Sequence, residues 1–409
     1  MPRPGQVKSS GERLSDRIAL GVLTRALPPE LVDEVVAECG RVEQRSRLLP
    51  ARVVVYFVLA MCLFSGQGYE EIARLLTHGL ERVRRWEKPW QVPTTAAIGR
   101  ARRRLGPEPL KVLFDRVCRP VATQETAGAW YRRWRLVAVD GSTIDVPDTE
   151  ANSAFFGRPG SGRGQQRSAY PQVRVAALVE CGTHAVFAAA TGPLSVHEQR
   201  LVPGLLSRLE PGMLVMADRG ITGFELWQAT SATGADLLWR VRKNVVLPVL
   251  EHLDDGSYLS RIVARGDHRH RDPAPVRVIE YTLGDDHDTV YRLVTTIRDP
   301  AQAPAKELAA LYHQRWEIEN TLDEIKTHQG GHQLVLRSRD PAGVEQEVYG
   351  FLLVHHALRE TIHHTAHQAG LDPDRISFTR TLHAARRHVT GQAALSPLTT
   401  QAGPETHKP

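Results

Sequence analysis

The sequence predicts an α/β chain: an all-helical N-terminal part, then a strand-rich core that is interrupted by a β-rich insertion and closed by a long helix. Three observations carry this. Residues 13 to about 125 follow helical periodicity; from about 130 the pattern changes to short apolar runs between turn residues; and helical spacing returns in the run LYHQRWEIENTLDEIKTHQGG. With 409 residues, 42% of them hydrophobic, the chain can bury a large core in two or three domains.

In the helical part, Pro28-Pro29 opens one helix and Pro50 another. The longest apolar run, ARVVVYFVLAMCLF, is too short to span a bilayer and begins too far along the chain for a signal peptide, so it reads as a buried helix. Next comes GYEEIARLLTHGLERVRRWEKPWQVPTTAAIGRARRRLG, two helical segments around a Trp/Pro-rich connection, with Thr94 or Thr95 capping the second. From Arg82 to Arg104 the cations Arg82, Arg84, Arg85, Lys88, Arg100, Arg102, Arg103 and Arg104 face a single acid, Glu87. Such a density suits phosphate contacts and a helix laid in a groove; the plain alternative is a solvated basic face.

Strands are expected at 134–140, 172–180, 183–190, 213–217 and 237–243, with helices near 196–209 and 222–232. Three sequential strands, a helix, a strand, a helix and a strand, finished by a long helix, is the order of an RNase H-like domain. Asp140 ends WRLVAVD and Asp218 ends MLVMAD, so both read as carboxylates at the C-terminal tip of a buried strand, where open α/β sheets put their chemistry. Residues 244–300 are rich in Val, Tyr, Thr and turn residues and read as β hairpins forming a small sheet of their own, because a structureless loop that long would be unusual.

In the closing helix, Tyr312, Arg315, Glu319 and Lys326 stand at offsets 0, 3, 7 and 14, which at about 100° per residue brings them within roughly 60° of one another. That stripe suits a phosphate and a metal together. Asp323 shares the face one turn after Glu319, so periodicity leaves the two as rivals, while Glu317 and Glu324 point elsewhere. Three carboxylates suit phosphodiester cleavage, since two Mg²⁺ ions about 3.5–4 Å apart stabilise the attacking and leaving oxygens together.

The spacing Y-(2)-R-(3)-E-(6)-K, the D-G-S context of Asp140 and the D-R-G context of Asp218 resemble the IS4 family of DDE transposases. LLPARVVVYFVLAMCLF and P-T-T-x-A-I-x-x-A-R-x-R-L-G have counterparts in that family's N-terminal domain, so the resemblance covers nearly the whole chain. It implies Asp140, Asp218 and Glu319 as the catalytic and metal-binding carboxylates, with Asp140 bridging two Mg²⁺ ions for which Mn²⁺ can substitute. It implies DNA contacts by Tyr312 and Arg315 beside a flipped base and by Lys326 near the scissile phosphate. An aromatic of the insertion would fill the gap left by that base: Tyr291, with Trp239 the alternative, although family members often carry Trp here. The implied activity is binding of terminal inverted repeats in double-stranded DNA, strand cleavage and transfer to target DNA, with or without a hairpin intermediate, by a homodimer. No oligomerisation seam is legible beyond the helical stretch 341–369. The implied division is a DNA-binding domain at 1–125, a catalytic core at 130–243 and 301–370, the insertion at 244–300, and a tail at 371–409.

Composition agrees. A net charge of +6 and a pI near 9.2 favour a polyanionic partner, or plain solubility. Cys39, Cys62, Cys118 and Cys181 are far apart, which argues against a zinc cluster and for a reducing, cytoplasmic setting. The pairs His355-His356 and His363-His364, and His268 with His270, read as packed or surface histidines. The glycine-rich stretch 157–164 lacks the Lys-Ser/Thr ending of a nucleotide loop, and no nucleotide cofactor or membrane is expected. Arg219 and Lys243 flank the site as DNA contacts or salt bridges. Two other readings stay open: a catalytically inert DNA-binding remnant acting as a repressor, and a stand-alone RNase H-like nuclease.

Overall fold

The structure, a computed structural model, describes residues 22–44, 49–77, 92–159, 170–264, 272–283, 286–312, 316–331 and 334–394. The basic run from Arg82 to Lys88, most of the glycine-rich loop and Arg315 lie outside the described residues.

The N-terminal part is helical: α1 (Val22–Ala26), α2 (Pro29–Glu38), α3 (Ala51–Leu63), α4 (Tyr69–Thr77), α5 (Thr95–Leu105) and α6 (Glu108–Val117). Pro29 lies in the first turn of α2 and Pro50 is the N-cap of α3, where a missing N–H costs nothing. Thr94 caps α5 by accepting from the Ala97 amide at 3.3 Å. Every residue of α3 except Arg52, which pairs with Asp33, is buried. Its partner is the 29-residue helix α12 (Pro341–Ala369; intervening helices are given below), and the two meet at Gly350. A Cβ there would lie 2.8 Å from Cys62 Sγ and 2.9 Å from Val58 Cγ1, so only glycine permits this approach.

The strands are β1 (Trp130–Tyr131), β2 (Trp134–Asp145), β3 (Gln172–Glu180), β4 (Ala185–Pro193), β5 (Met213–Ala217), β6 (Asp236–Arg240), β7 (Glu251–His252), β8 (Tyr258–Ile262), β9 (Ala274–Leu283) and β10 (Asp286–Thr295). They form one sheet in the order β4-β3-β2-β5-β6-β10-β9-β8-β7, with β1 paired to β2. β3 runs antiparallel to both β4 and β2, whereas β5 and β6 run parallel to β2. Between them lie α7 (Glu150–Phe156), α8 (Glu198–Leu201) and α9 (Phe224–Ser231). The helix expected near 196–209 is split, because after Leu201 the chain tightens into a 3₁₀ helix, Val202–Arg208, whose first turn holds Pro203.

The insertion is not a sheet of its own. Leu293, Val294 and Thr295 of β10 pair with Arg240, Trp239 and Leu238 of β6, so the insertion continues the main sheet. The physical reason is the edge of β6, whose N–H and C=O groups would otherwise be left bare.

After the sheet come α10 (Ala305–Tyr312), α11 (Trp316–Asp323), a π-helical turn at Glu324–Gln329, α12 and α13 (Phe378–Ala394). The closing helix is thus not one continuous α-helix. The stretch 341–369 is also no outer seam: α12 is buried along most of its length against α3, β4 and α6. Beyond 371, where a tail was expected, α13 buries Phe378, Leu382 and Val389 in the same core. No helix among the described residues is long and apolar enough to cross a membrane.

Candidate active site

Strand parity organises the site. Leu136 and Ala138 of β2, and Leu214 and Met216 of β5, pack with α11 and α12 on one face of the sheet, while Val137, Val139, Val215 and Ala217 pack on the other. Because side chains alternate, Asp140 and Asp218 belong to the first face, the one covered by α11. The last parallel pair is Val139 with Ala217, so the two aspartates follow on neighbouring strands one residue beyond it. Asp140 is not a strand tip as expected: β2 runs five residues further because β3 keeps pairing with it through Gln172 and Asp145. It marks the end of the parallel ladder instead.

The residues around each aspartate have structural causes. Asp140 Oδ1 accepts from the Gly141 amide at 2.8 Å. A Cβ on Gly141 would collide with Glu198, whose carboxylate is held at 2.7 Å by Arg174 on the opposite face. Asp218 Oδ1 accepts from the Gly220 amide at 2.6 Å and from Ile221 at 3.3 Å, closing an Asx turn.

Helix α10 and the π turn that follows α11 reach these strands at two anchors. The Tyr312 hydroxyl donates to the carbonyl of Ala217, next to Asp218, at 3.2 Å. Lys326 Nζ donates to Ser142 Oγ, two residues beyond Asp140, at 2.9 Å. Glu319 lies seven residues from each. It is exposed, while Ile318, Leu322 and Ile325 beside it are buried against the sheet. Tyr312 is itself buried, and its hydroxyl bonds the main chain that carries Asp218. Asp323 accepts from Thr327 at 2.7 Å and lines a cavity of about 350 Å³ on the other side, with His184, His328 and Asp374. Glu324 points the same way, into His355 and Arg359.

Beside Asp218 opens a cavity of about 620 Å³ lined by Arg219, Arg240, Arg242, Lys243, Tyr291 and Arg292, among others. Tyr291 is half-buried, stacks on its cross-strand neighbour Tyr281 with ring centroids 5.5 Å apart, and carries the Arg240 guanidinium 4.4 Å from its centroid. Trp239, the alternative aromatic, is 2% exposed and packs edge-on against Trp227, so it is core. Arg240, Arg242 and Arg292 escaped the sequence reading. The signal lay in the alternation of Arg240 and Arg242 along one segment, meaningful only once β10 is known to pair there.

Of the N-terminal arginines, Arg102 is corrected. It is 6% exposed and donates to Gln346 Oε1 at 2.8 Å, the Tyr69 hydroxyl at 2.7 Å and Ser338 Oγ at 2.8 Å, clamping α5 to α12. Arg104, half-buried, donates to the Leu49 carbonyl at 3.0 Å. Arg100 and Arg103 face solvent and line a cavity of about 1130 Å³ with Arg337 and Arg339.

Asp140, Asp218 and Glu319 offer only oxygen donors, the chemistry preferred by Mg²⁺ and Mn²⁺. Among the described residues, no three His, Cys, Asp or Glu side chains stand close enough to hold an ion, so the structure does not bring Asp140, Asp218 and Glu319 into one ligand set. His355, His356 and His363 are taken up by Glu324, the Val186 carbonyl and Thr126.

Residues 133–355 match the family described as "Transposase DDE domain", and residues 17–115 match "Insertion element 4 transposase N-terminal". The class is therefore that of DNA-cleaving and strand-transferring enzymes, which generally depend on a divalent metal. The chain belongs to the IS4 family of DDE transposases. It is 29% identical over 387 residues to the transposase InsG of insertion sequence element IS4 from Escherichia coli (strain K12), covering 91% of this chain and 83% of that one. A piggyBac transposase in a synaptic complex with hairpin DNA aligns over 93% of this chain and 82% of its own, at 12% identity and a TM-score of 0.47.

Proposed function

We propose that this transposase binds the terminal inverted repeats of its own insertion sequence, cuts to expose a 3′-hydroxyl and joins that end to target DNA, working in the cytoplasm as a homodimer. One observation supports the reading: Tyr312 on Ala217 and Lys326 on Ser142 anchor the segment that carries Glu319 to the two strands that carry Asp218 and Asp140. Asp140, Asp218 and Glu319 would hold two divalent ions, with Asp140 shared. Such ions stabilise charge on both the attacking and leaving oxygens of phosphodiester exchange.

Lys326, aimed by Ser142, brings a point charge to the scissile phosphate, and Arg315 a planar fork to its neighbour. The cavity beside Asp218 joins several cations to one stacked tyrosine, which suits an unstacked base and its phosphates and supports a hairpin route. Three antiparallel strands followed by two parallel to the first, with α11 above, support an RNase H-like core at 130–243 and 301–370. The helices before it make a DNA-binding domain at 1–125, and the strands of 244–300 form the insertion.

Wild type and Glu319→Gln, incubated with a labelled duplex carrying the element's end, test this in Mg²⁺ and in EDTA. Cleavage at the element boundary that needs both metal and Glu319 is the expected result. Binding without cutting by wild type would leave a DNA-binding remnant instead.

A further inference from the structure

The buried charges behind the catalytic helix take no part in the chemistry above. Glu324 accepts from Arg359 Nε at 3.0 Å, from a second nitrogen of the same guanidinium, and from His355 Nε2 at 3.1 Å. The Glu324 side chain is 13% exposed, that of Arg359 4% and that of His355 not at all. Phe378 of α13 completes the cage, its ring lying 5.4 Å from the guanidinium and 5.2 Å from the imidazole. One turn earlier, Thr321, also fully buried, meets His184 Nδ1 at 3.1 Å, and His184 Nε2 lies 3.0 Å from Asp374.

Stability alone does not account for this cage, because a buried ion pair is often matched or bettered by apolar groups of the same volume. Direction accounts for it better. The backbone passes from α to π hydrogen bonding at Glu324, and a wider turn rotates every later residue relative to a continued α-helix. Lys326 lies two residues into that turn and Glu319 five residues before it. A bidentate fork fixes rotation in a way that an apolar contact does not.

We infer that Glu324, gripped by Arg359 and His355 of α12, is a positioning residue: it sets the rotation at which α11 passes into the π turn, and so aims Glu319 and Lys326 at the strand ends. This rests on Glu319 being a metal ligand. Outer groups that orient ligands typically change metal affinity or activity by roughly 10–100-fold when removed.

The test compares wild type, Glu324→Leu, Glu324→Gln and Glu319→Gln in full-length protein. It reads thermal unfolding, affinity for the labelled end duplex, and cleavage rate at saturating DNA as Mg²⁺ is titrated. Glu324→Leu is expected to stay folded and to bind the duplex like wild type. It should need roughly 10–100-fold more Mg²⁺ for half-maximal cleavage, or cut that much more slowly, with Glu324→Gln between the two. Should Glu324→Leu not fold, the isosteric Glu324→Gln decides alone. A folded variant with the wild-type Mg²⁺ dependence and rate overturns the inference, as does one that merely melts earlier and binds DNA less well with its Mg²⁺ dependence unmoved. Failure of the parent reading looks different: wild type does not cut, or Glu319→Gln cuts as well as wild type.

Discussion

The ammonium of Lys326 rests 2.9 Å from the hydroxyl of Ser142, joining the π turn to the strand that carries Asp140. The contact sets the direction of the charge before any substrate arrives. Preorganised charge is worth most where water is excluded and nothing has to reorganise during reaction. Lys326→Ala should therefore lower single-turnover cleavage by about 10²-fold, with Ser142→Ala losing several-fold, and neither should shift the melting temperature much. Quench-flow on a labelled duplex and a thermal melt check both halves.

Arg102 and Arg100, two residues apart on α5, should part company. Arg102→Ala removes four hydrogen bonds, three to side chains and one to the Gly343 carbonyl, from a buried cluster and should cost about 2–4 kcal/mol of stability, with no change in the salt dependence of duplex binding. Arg100→Ala should leave stability alone and reduce the slope of log affinity against log salt by about 1. An Arg102 slope that falls with unaltered stability would reverse their roles.

Tyr291→Ala should slow the step in which a base leaves the stack, by the roughly 1–3 kcal/mol that base–aromatic stacking supplies, while Tyr291→Phe should stay near wild type. A fluorescent base analogue at the first position beyond the nick reports the unstacking directly.

Acid should destabilise the fold, and the sign follows from two groups. Burial holds the His356 imidazole down to about 4, against the pull of its hydrogen bond to Val186, so the unfolded chain binds the extra proton first. Stability then falls as pH drops from the ordinary histidine range, by about 2 kcal/mol between pH 7 and 5. Burial would raise the Glu324 carboxyl, yet His355 and Arg359 bring it to about 2, so its contribution is intact above the ordinary glutamate range and lost only below it. Melting curves at pH 7 and 5 should separate clearly in wild type and less in His356→Gln.

Gly350→Ala should cost about 1–3 kcal/mol through overpacking of α12 on α3, since the new methyl meets Cys62 and Val58 below van der Waals distance. Chemical denaturation measures it.

Local signals fixed what is local. The strands Gln172–Glu180 and Met213–Ala217 could be read to the residue, and the cap at Thr94 to one of two threonines, because alternation, apolar runs and hydroxyl caps act over a few neighbours. Three things could not. The partner of β10 is more than fifty residues away in β6, so nothing in the hairpin announces it. The change from α to π at Glu324 is held by α12, thirty residues downstream. Basic density around Arg102 looked like a solvent-facing patch, although Gln346 and Ser338, distant in sequence, enclose it. Periodicity likewise left Glu319 and Asp323 together; in the structure Asp323 lines the cavity with His184 and Asp374, and Glu319 does not.

The pairing of β10 with β6 carries an evolutionary corollary. Tyr291 keeps its orientation only while the count of residues from Leu293, where the two strands join, stays even. Insertions between them can therefore accumulate in pairs without turning the ring to the opposite side, whereas a single added residue would exchange every neighbour on the strand above it.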